Sequence, residues 1–486
     1  MQEFTVAGAA IAVVKDGKII HKKGYGIRAL ENQQPVDEFT NFQIASNTKA
    51  FTTAALAIMV DRGQISWNDR VKEIIPEFTM YDPYVEQNFT IADLLCHRSG
   101  LGLGVGDLMA FPDGADFTIH DVLRSFQHFQ PVSDFRTEYA YDNMLYWVAG
   151  EVIARINRMT WEEFIQTEIL DPLEMKRSYP SHSSMDSENL ALPHTTATTQ
   201  GKLKQIEMYQ EIISGALGGI ISNVDDMAKW MIMQLNNGKY GSALQNQLFT
   251  PARQQEMWRI HTVTNSSAAP KYQQHFSGYG LGWHLSDIRG NLKASHTGAL
   301  AGMLSQVYLI PDMGLGIVIL TNTENGGSSL FRAVNQTLLD HFLGLEKEDW
   351  IAHYAEQAQR QKSVGDSITA KVWERVNQAK QQTIAQNDYV GLYEDKWFGK
   401  VEIFIHDNGQ LWFQSLRSPK LNGPMLHYQA NTFAIPWQDR DLNADALALF
   451  SLDQNGRAVR FQMKGISPYI DFSYDFHDLD LVRIEN

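Results

Sequence analysis

The chain has 486 residues, 44% apolar and 20% charged, with a net charge of −15 and a pI of about 5.4. That composition fits a soluble globular protein too long for one core, so two domains, or one large and one small, are expected. The negative balance argues against nucleic acid as a partner, no apolar run reaches the ~18–20 residues that span a bilayer, and the lone Cys96 excludes an intrachain disulfide.

The opening stretch, MQEFTVAGAAIAVV, lacks the charged n-region and cleavage site of a signal peptide. The compartment stays open: periplasmic or secreted if a leader has been removed, cytoplasmic otherwise. AGAAIAVV (7–14), Asp16-Gly17 and KIIHKKGYG predict a hairpin, because Asp-Gly between apolar runs is a strong turn signal. The tetrapeptide SNTK (46–49) then opens ASNTKAFTTAALAIMVDRG, in which Phe51, Ala54, Ala55, Ile58 and Met59 recur at helical spacing and Gly63 ends the run. Ser46 and Lys49 share a helix face, which sets a hydroxyl beside an amine that can take its proton. Ser46 is expected in the first helical turn, where free N–H groups and the helix dipole favour an oxyanion. Taken alone, the pair reads equally as an N-cap serine and a solvated helix lysine. Cys96, in LLCHRSGL, reads as a small apolar residue at a helix end.

From about 46 to 260 helical patterns dominate, as in IADLLCHRSG, DNMLYWVAGEVIARIN and NVDDMAKWMIMQLNNG. The loops at 101–118 and 180–204 are long enough to suggest function. Tyr141-Asp142-Asn143 opens the second of those helices. GYGLGWHLS (278–286), ASHTG (294–298), SQVYLIPDM (305–313) and LGIVILTN (315–322) predict neighbouring antiparallel strands, the second carrying His296-Thr297-Gly298. A helix, SSLFRAVNQTLLDHFLGL, follows. Strand-rich ends around a helical middle predict an α+β domain over 1–345, with the first hairpin and the later strands in one antiparallel sheet beside a helical lobe. Residues 346–386 read as a helical linker. From Tyr389 the pattern is all-β, with turns in KVEIFIHDNGQLWFQ and ALALFSLDQNGRAVRFQMKG, so 387–486 is expected to form a small barrel. No HExxH and no clustered Cys/His spacing occur, so no metal and no cofactor are expected, and the absence of a GxSxG elbow disfavours an α/β-hydrolase.

The order Ser-x-x-Lys, Tyr-x-Asn, His-Thr-Gly, with VVKDGKIIHKKGYG, LLCHRSGL, GGIISNVDDMAKW, YGLGW and YLIPDMGLGIVILTN around it, resembles class C β-lactamases, DD-peptidases and their esterase and D-aminopeptidase relatives. The resemblance covers roughly 4–345. It implies that Ser46 attacks a carbonyl and forms an acyl-enzyme, that neutral Lys49 takes its proton, and that Tyr141 passes a proton to the leaving group. Asn143 would orient Lys49 and substrate, and the backbone N–H groups of Ser46 and Ala299 would form the oxyanion hole. His296, Thr297 and Gly298 would border the substrate, Gly298 by allowing close approach to the strand. Read without the resemblance, Tyr141 is equally a core aromatic, Asn143 a helix cap and His296 a strand histidine.

Penicillin-recognising relatives carry lysine where His296 stands. Histidine is mostly neutral at pH 7, so a carboxylate anchor is weakened and β-lactam hydrolysis is disfavoured against peptides, some with D-residues, or esters. A carboxylesterase without peptide activity and an inactive ligand-binding protein are the alternatives. YVGLYEDKWFGKVEIFIHDNGQLWF and HYQANTFAI resemble the lipocalin-like barrel appended to some relatives, among them D-stereospecific serine peptidases. The expected partner is a small-molecule or peptide substrate, and homo-oligomerisation stays open.

Overall fold

The computed structural model describes residues 1–185, 188–199, 201–211, 213–266, 270–379 and 385–484. Residues 186–187 and 200 of the second long loop, 380–384 of the expected linker and the last two of the expected barrel lie outside the described residues.

Strands β1 (Gly8–Lys15) and β2 (Lys18–Gly26) form the expected hairpin, with Asp16 and Gly17 at φ 51° and 73°. A two-residue turn of this hand needs positive φ at both positions, which aspartate tolerates and glycine adopts freely. Helices α1 (Thr48–Asp61), α2 (Met144–Asn157) and α3 (Val224–Leu235) follow among shorter turns. Next come β3 (Ser277–Tyr279), β4 (His284–Ile288), β5 (Asn291–Leu300), β6 (Met303–Ile310) and β7 (Leu315–Thr321). They join the hairpin in one antiparallel sheet of order β2-β1-β7-β6-β5-β4-β3, extended at the β3 edge by Thr262–Val263. The hairpin therefore pairs with the last strand, Ala9 opposite Thr321 and Lys15 opposite Leu315.

Alternation along the central strands divides the interior in two. Ala10, Ala12, Val14, Val318 and Leu320 face the main core with Met227 and Met231 of α3. Ala9, Val13, Ile317 and Ile319 face Leu330, Phe331 and Leu339 of α4 (Glu324–Phe342). Because both faces are covered, β7 is buried throughout and reads as a continuous apolar run. Helix α1 is likewise buried at every position from Thr48 to Met59. Its alanines allow neighbours close on all sides, and Phe51 stacks on Trp230 at 3.8 Å.

One expected strand is two. GYGLGWHLS turns at 280–282 between β3 and β4. Gly282 sits at φ 78°, and a Cβ there would lie 2.6 Å from Thr53 Oγ1 and 3.1 Å from the Lys49 carbonyl, so the turn packs directly on α1. The three glycines of the segment, at 278, 280 and 282, are turn signals that the single-strand expectation passed over.

The linker region is helical over α5 (Trp350–Ala379). Beyond it lie β8 (Gly391–Asp395), β9 (Gly399–Ile405), β10 (Leu411–Ser415), β11 (Asn422–Pro424), β12 (Leu426–Gln429), β13 (Thr432–Ile435), β14 (Ala446–Leu452), β15 (Ala458–Gly465) and β16 (Asp480–Ile484). Their antiparallel order is β11-β10-β9-β8-β16-β15-β14-β13-β12. The two edge strands are separated in sequence by Met425 alone, so the sheet curls into a nearly closed barrel. Phe413, Phe433, Phe450 and Phe461 fill it. Val372 and Val376 of α5 pack outside it on Ala434 and Ile466.

The barrel rests on the first domain. Arg417 pairs with Asp116 at 2.7 Å and Asp121 at 3.0 Å, Lys420 pairs with Asp113 at 2.8 Å, and the rings of Trp397 and Phe129 are 5.0 Å apart.

Phe51→Ala should cost about 3–5 kcal/mol, as for other buried aromatics. The measurement is the denaturant midpoint of the transition that exposes Trp230 fluorescence. A loss below ~1 kcal/mol would mean that this stack does not anchor α1.

Candidate active site

Ser46 lies in a 3-10 turn, Ala45–Asn47, that precedes α1, one step outside the α-helical turn expected for it. Ala45 holds φ 49°, a conformation that non-glycine residues seldom adopt and that tertiary contacts must impose. Strand β6 supplies those contacts. Asn47 Nδ2 donates to Ser305 Oγ at 2.7 Å, and Ser305 Oγ donates to the Ile44 carbonyl at 2.6 Å. Strand β5 presses on the same turn. A Cβ on Gly298 would stand 2.2 Å from the Ile44 oxygen and 2.4 Å from Ser305 Oγ. Gly298 is thus required by the serine turn behind the strand, which corrects the expectation that it makes room for substrate.

Lys49 is completely buried. Its Nζ donates to Asn143 Oδ1 at 2.7 Å and to the Leu217 carbonyl at 2.8 Å, and lies 3.0 Å from Ser46 Oγ. The rings of Tyr141 and Tyr146 each stand 5.1 Å from Nζ. Helix α1 also fixes the Leu217 carbonyl: Thr52 Oγ1 donates to the Ala216 carbonyl at 2.8 Å, and Thr48 Oγ1 accepts from the Ile220 N–H at 3.2 Å. Burial pulls the Lys49 amine down to about 7, against the opposing pull of Asp107 and Asp142. Burial also pushes the Tyr141 phenol well above its ordinary value, against a smaller downward pull from the Ser46 hydroxyl. At neutral pH Tyr141 therefore carries its proton.

Asn143 is the N-cap residue of α2. Besides accepting from Lys49, it donates through Nδ2 to Asp107 Oδ2 at 2.8 Å. His97, buried at φ 56°, meets the Tyr141 ring at a tilt with ring centres 4.2 Å apart and accepts through Nδ1 from the Asp142 N–H at 3.1 Å.

His296 is only 2% exposed. Nδ1 lies 2.6 Å from the Thr297 carbonyl, and Nε2 lies 2.8 Å from the Tyr279 hydroxyl. A carbonyl only accepts, so Nδ1 carries the proton. Burial together with His284 and Lys49 holds the imidazole well below its ordinary value, so the ring is neutral and Tyr279 donates to Nε2. Both ring nitrogens are used inside the protein. His296 thus offers a substrate carboxylate a neutral ring whose two nitrogens already have partners, a weaker anchor than a lysine. On β5 it is Thr297 and Ala299 that point outward, while His296 and Gly298 alternate inward.

These groups border a cavity of about 810 Å³ lined by Ser46, Tyr141, Asn143, Thr297 and Ala299. Tyr209, Phe111 and Leu300 give it apolar surface, and Tyr469, Phe472 and Tyr474 of the barrel close one side. The structure brings Ser46, Lys49, Tyr141, Asn143 and the 296–299 segment together. Sequence reading missed Asp107, the Leu217 carbonyl, His97, Tyr279 and the 469–475 segment. Asp107 falls in a loop flagged for its length, and His97 and Tyr279 fall in LLCHRSGL and YGLGW, so a signal existed for those three. A backbone carbonyl leaves no mark in the sequence.

Comparison with known proteins bears on the family and the fold. Residues 377–483 match a domain described only as being of unknown function, DUF3471. An unguisins hydrolase from Aspergillus violaceofuscus is 28% identical over 433 residues, 83% of this chain and 74% of that protein. Protein flp of Staphylococcus aureus is 26% identical over 330 residues, 67% of this chain and 61% of that protein. Among solved structures, the octameric penicillin-binding protein homologue of Pyrococcus abyssi superposes with TM-score 0.63 at 20% identity, covering 99% of this chain and 97% of that one. The penicillin-binding protein of Bacillus halodurans superposes with TM-score 0.56 at 20% identity, over 69% and 97%. The family model described as Beta-lactamase matches residues 1–340, the whole sheet and helical lobe that position Ser46 and Lys49, and this chain belongs to that family.

Proposed function

We propose that this protein is a serine hydrolase that cleaves an amide or ester bond through an acyl-enzyme on Ser46. The observation that carries the reading is the set of partners around Lys49 Nζ. A neutral amine has two protons and one lone pair. The Asn143 and Leu217 oxygens take the two protons, and the lone pair is left for the Ser46 hydroxyl at 3.0 Å. Lys49 accepts the Ser46 proton as the oxygen attacks the carbonyl. The negative charge that develops is met by the N–H groups of Ser46 and Ala299, both of which border the cavity. Protonated Tyr141 then hands its proton to the leaving group and is resupplied from Lys49. Water reverses the sequence to release the acid.

The charge of the cavity narrows the substrate. Asp113, Glu207, Glu324, Asp439, Asp441 and Asp471 line it among the described residues, against one lining cation, Lys420, itself paired with Asp113 and Glu207. Among the described residues that line the cavity, His296 is neutral and Lys420 is paired, so no free cation there meets a substrate carboxylate. This supports a peptidase or esterase over an efficient β-lactamase. Cationic or neutral substrates, such as peptides or aminoacyl amides with a free amine, fit the field better than anionic ones. A panel of D- and L-aminoacyl amides, peptides and esters separates peptidase from esterase. The octamer described for the Pyrococcus abyssi homologue supports self-association of this chain, which light scattering tests.

Ser46→Ala should lower ester turnover by ~10³-fold or more and abolish labelling by a fluorophosphonate, with the fold unchanged by circular dichroism. Turnover near wild type would remove Ser46 from the mechanism.

Because Lys49 serves only when deprotonated, kcat/KM should rise with pH through a midpoint near 7. Below that midpoint the amine keeps its proton and the base is lost. A flat profile between about pH 5.5 and 8 would count against Lys49 as the base.

For two p-nitrophenyl esters matched except for an amine or a carboxylate on the acyl part, KM should be lower for the amine by about threefold or more, and salt should narrow the gap. Benzylpenicillin, an anion, should be a poor substrate. Equal KM values, or efficient penicillin turnover, would refute the electrostatic reading of the cavity.

A further inference from the structure

The barrel reaches into the catalytic machinery through one buried acid. Asp475 is completely buried, 367 residues along the chain from Leu108. Its Oδ2 accepts from the Gly106 N–H at 2.8 Å, and its Oδ1 accepts from the Leu108 N–H at 2.9 Å. Those two amides belong to the start of the 3-10 turn Asp107–Met109, with Gly106 at φ 76° as its cap. Such a start leaves N–H groups without local partners, and a side-chain oxygen ordinarily satisfies them. Here the oxygens come from the other domain.

The residue held between the two amides is Asp107, whose carboxylate receives Asn143, whose carbonyl oxygen receives Lys49. Ser473, two residues from Asp475, stands close enough to the Asp107 carboxyl to oppose the upward push of burial on its pKa. The same barrel segment touches the other side of the site. Phe472 meets the Tyr141 ring edge-on at 5.8 Å, and a Cβ on Gly104 would stand 2.7 Å from the Phe472 carbonyl. Gly104 in turn donates its N–H to the Tyr141 carbonyl at 2.8 Å.

We propose that Asp475 and Ser473 are positioning residues for hydrolysis: they lock the 104–109 loop so that Asp107 and Asn143 keep Lys49 aimed at Ser46. The barrel is then a structural part of the active site. This rests on the reading of Ser46 as nucleophile and Lys49 as its base. An interface that only adds stability would change the amount of folded protein and leave turnover per folded site alone. A relay to Lys49 changes turnover per site, and for Asp475 it leaves ground-state binding largely alone, because Asp475, unlike Ser473, does not line the cavity.

The test uses the full chain carrying Asp475→Asn, Ser473→Ala or, as a control on the exposed barrel surface, Glu402→Gln. Active sites are counted by fluorophosphonate burst, thermal midpoints by calorimetry, and kcat and KM with a small p-nitrophenyl ester. Asparagine keeps the shape of Asp475 but turns one acceptor into a donor that faces an N–H. The expected result for Asp475→Asn is a fall in kcat per counted site of about 10–10²-fold, the size a ~1 Å displacement of a reacting group produces, with KM within about threefold. Ser473→Ala should fall in the same direction by less, and Glu402→Gln should match wild type. A folded Asp475→Asn with wild-type kcat per site overturns the proposal. If Asp475→Asn does not fold, Ser473→Ala decides, and wild-type kcat in that variant overturns it. Ser46→Ala separates the two readings. If it stays active, the mechanism itself is wrong. If it is dead while Asp475→Asn and Ser473→Ala turn over normally, only the role of the barrel is wrong.

Discussion

The rest of the site answers to one constraint, the complete burial of the Lys49 amine. An ammonium taken out of water is expensive unless its protons are received and its charge is met nearby. Two oxygens receive the protons, two tyrosine faces flank the nitrogen, and Asp107 and Asp142 stand close enough to oppose the loss of charge. The balance leaves the group near neutrality at physiological pH. Every partner is held by a different part of the chain: Asn143 by the start of α2, Leu217 by threonines of α1, and Asp107 by a loop that the barrel clasps.

The serine side of the pair depends on close backbone approach. Ala45 keeps its left-handed conformation because β5 and β6 grip the turn around it through Ser305 and the bare face of Gly298. Gly282 does the same for the far side of α1 at Lys49. Gly298, expected to border the substrate, and Gly282, expected within a strand, therefore mark places where the sheet touches the helix that carries the lysine. A methyl group at either would collide with the segment that carries Ser46 and Lys49.

Strand alternation decides which residues a substrate meets. On β5 the period of two sends His296 inward to Tyr279 and leaves Thr297 and Ala299 on the cavity side. The identity of residue 296 thus acts on the electrostatics behind the strand. The cavity itself is bordered by Thr297 and Ala299 of β5 and by acidic residues from both domains.

The sequence by itself determined a good deal. Helical spacing around SNTK, the Asp-Gly hairpin, the apolar runs of the central strands and the Asn-Gly turns of the barrel are local patterns, and local patterns carry the α+β class and the family resemblance. Ser46, Lys49, Tyr141 and Asn143 were legible because side-chain chemistry at fixed spacing is written in one dimension. The two-strand split of GYGLGWHLS was not read, although its glycines at 278, 280 and 282 are turn signals. Nor was the inward direction of His296, because histidine is at home on either face of a strand and only the sheet's register fixes which one is buried. The Leu217 carbonyl, the Asp107–Asn143 contact and the grip of Asp475 on residues 106 and 108 were decided by tertiary structure alone. Each joins segments far apart in the chain, two of them through backbone groups that every residue carries, so no residue type could announce them.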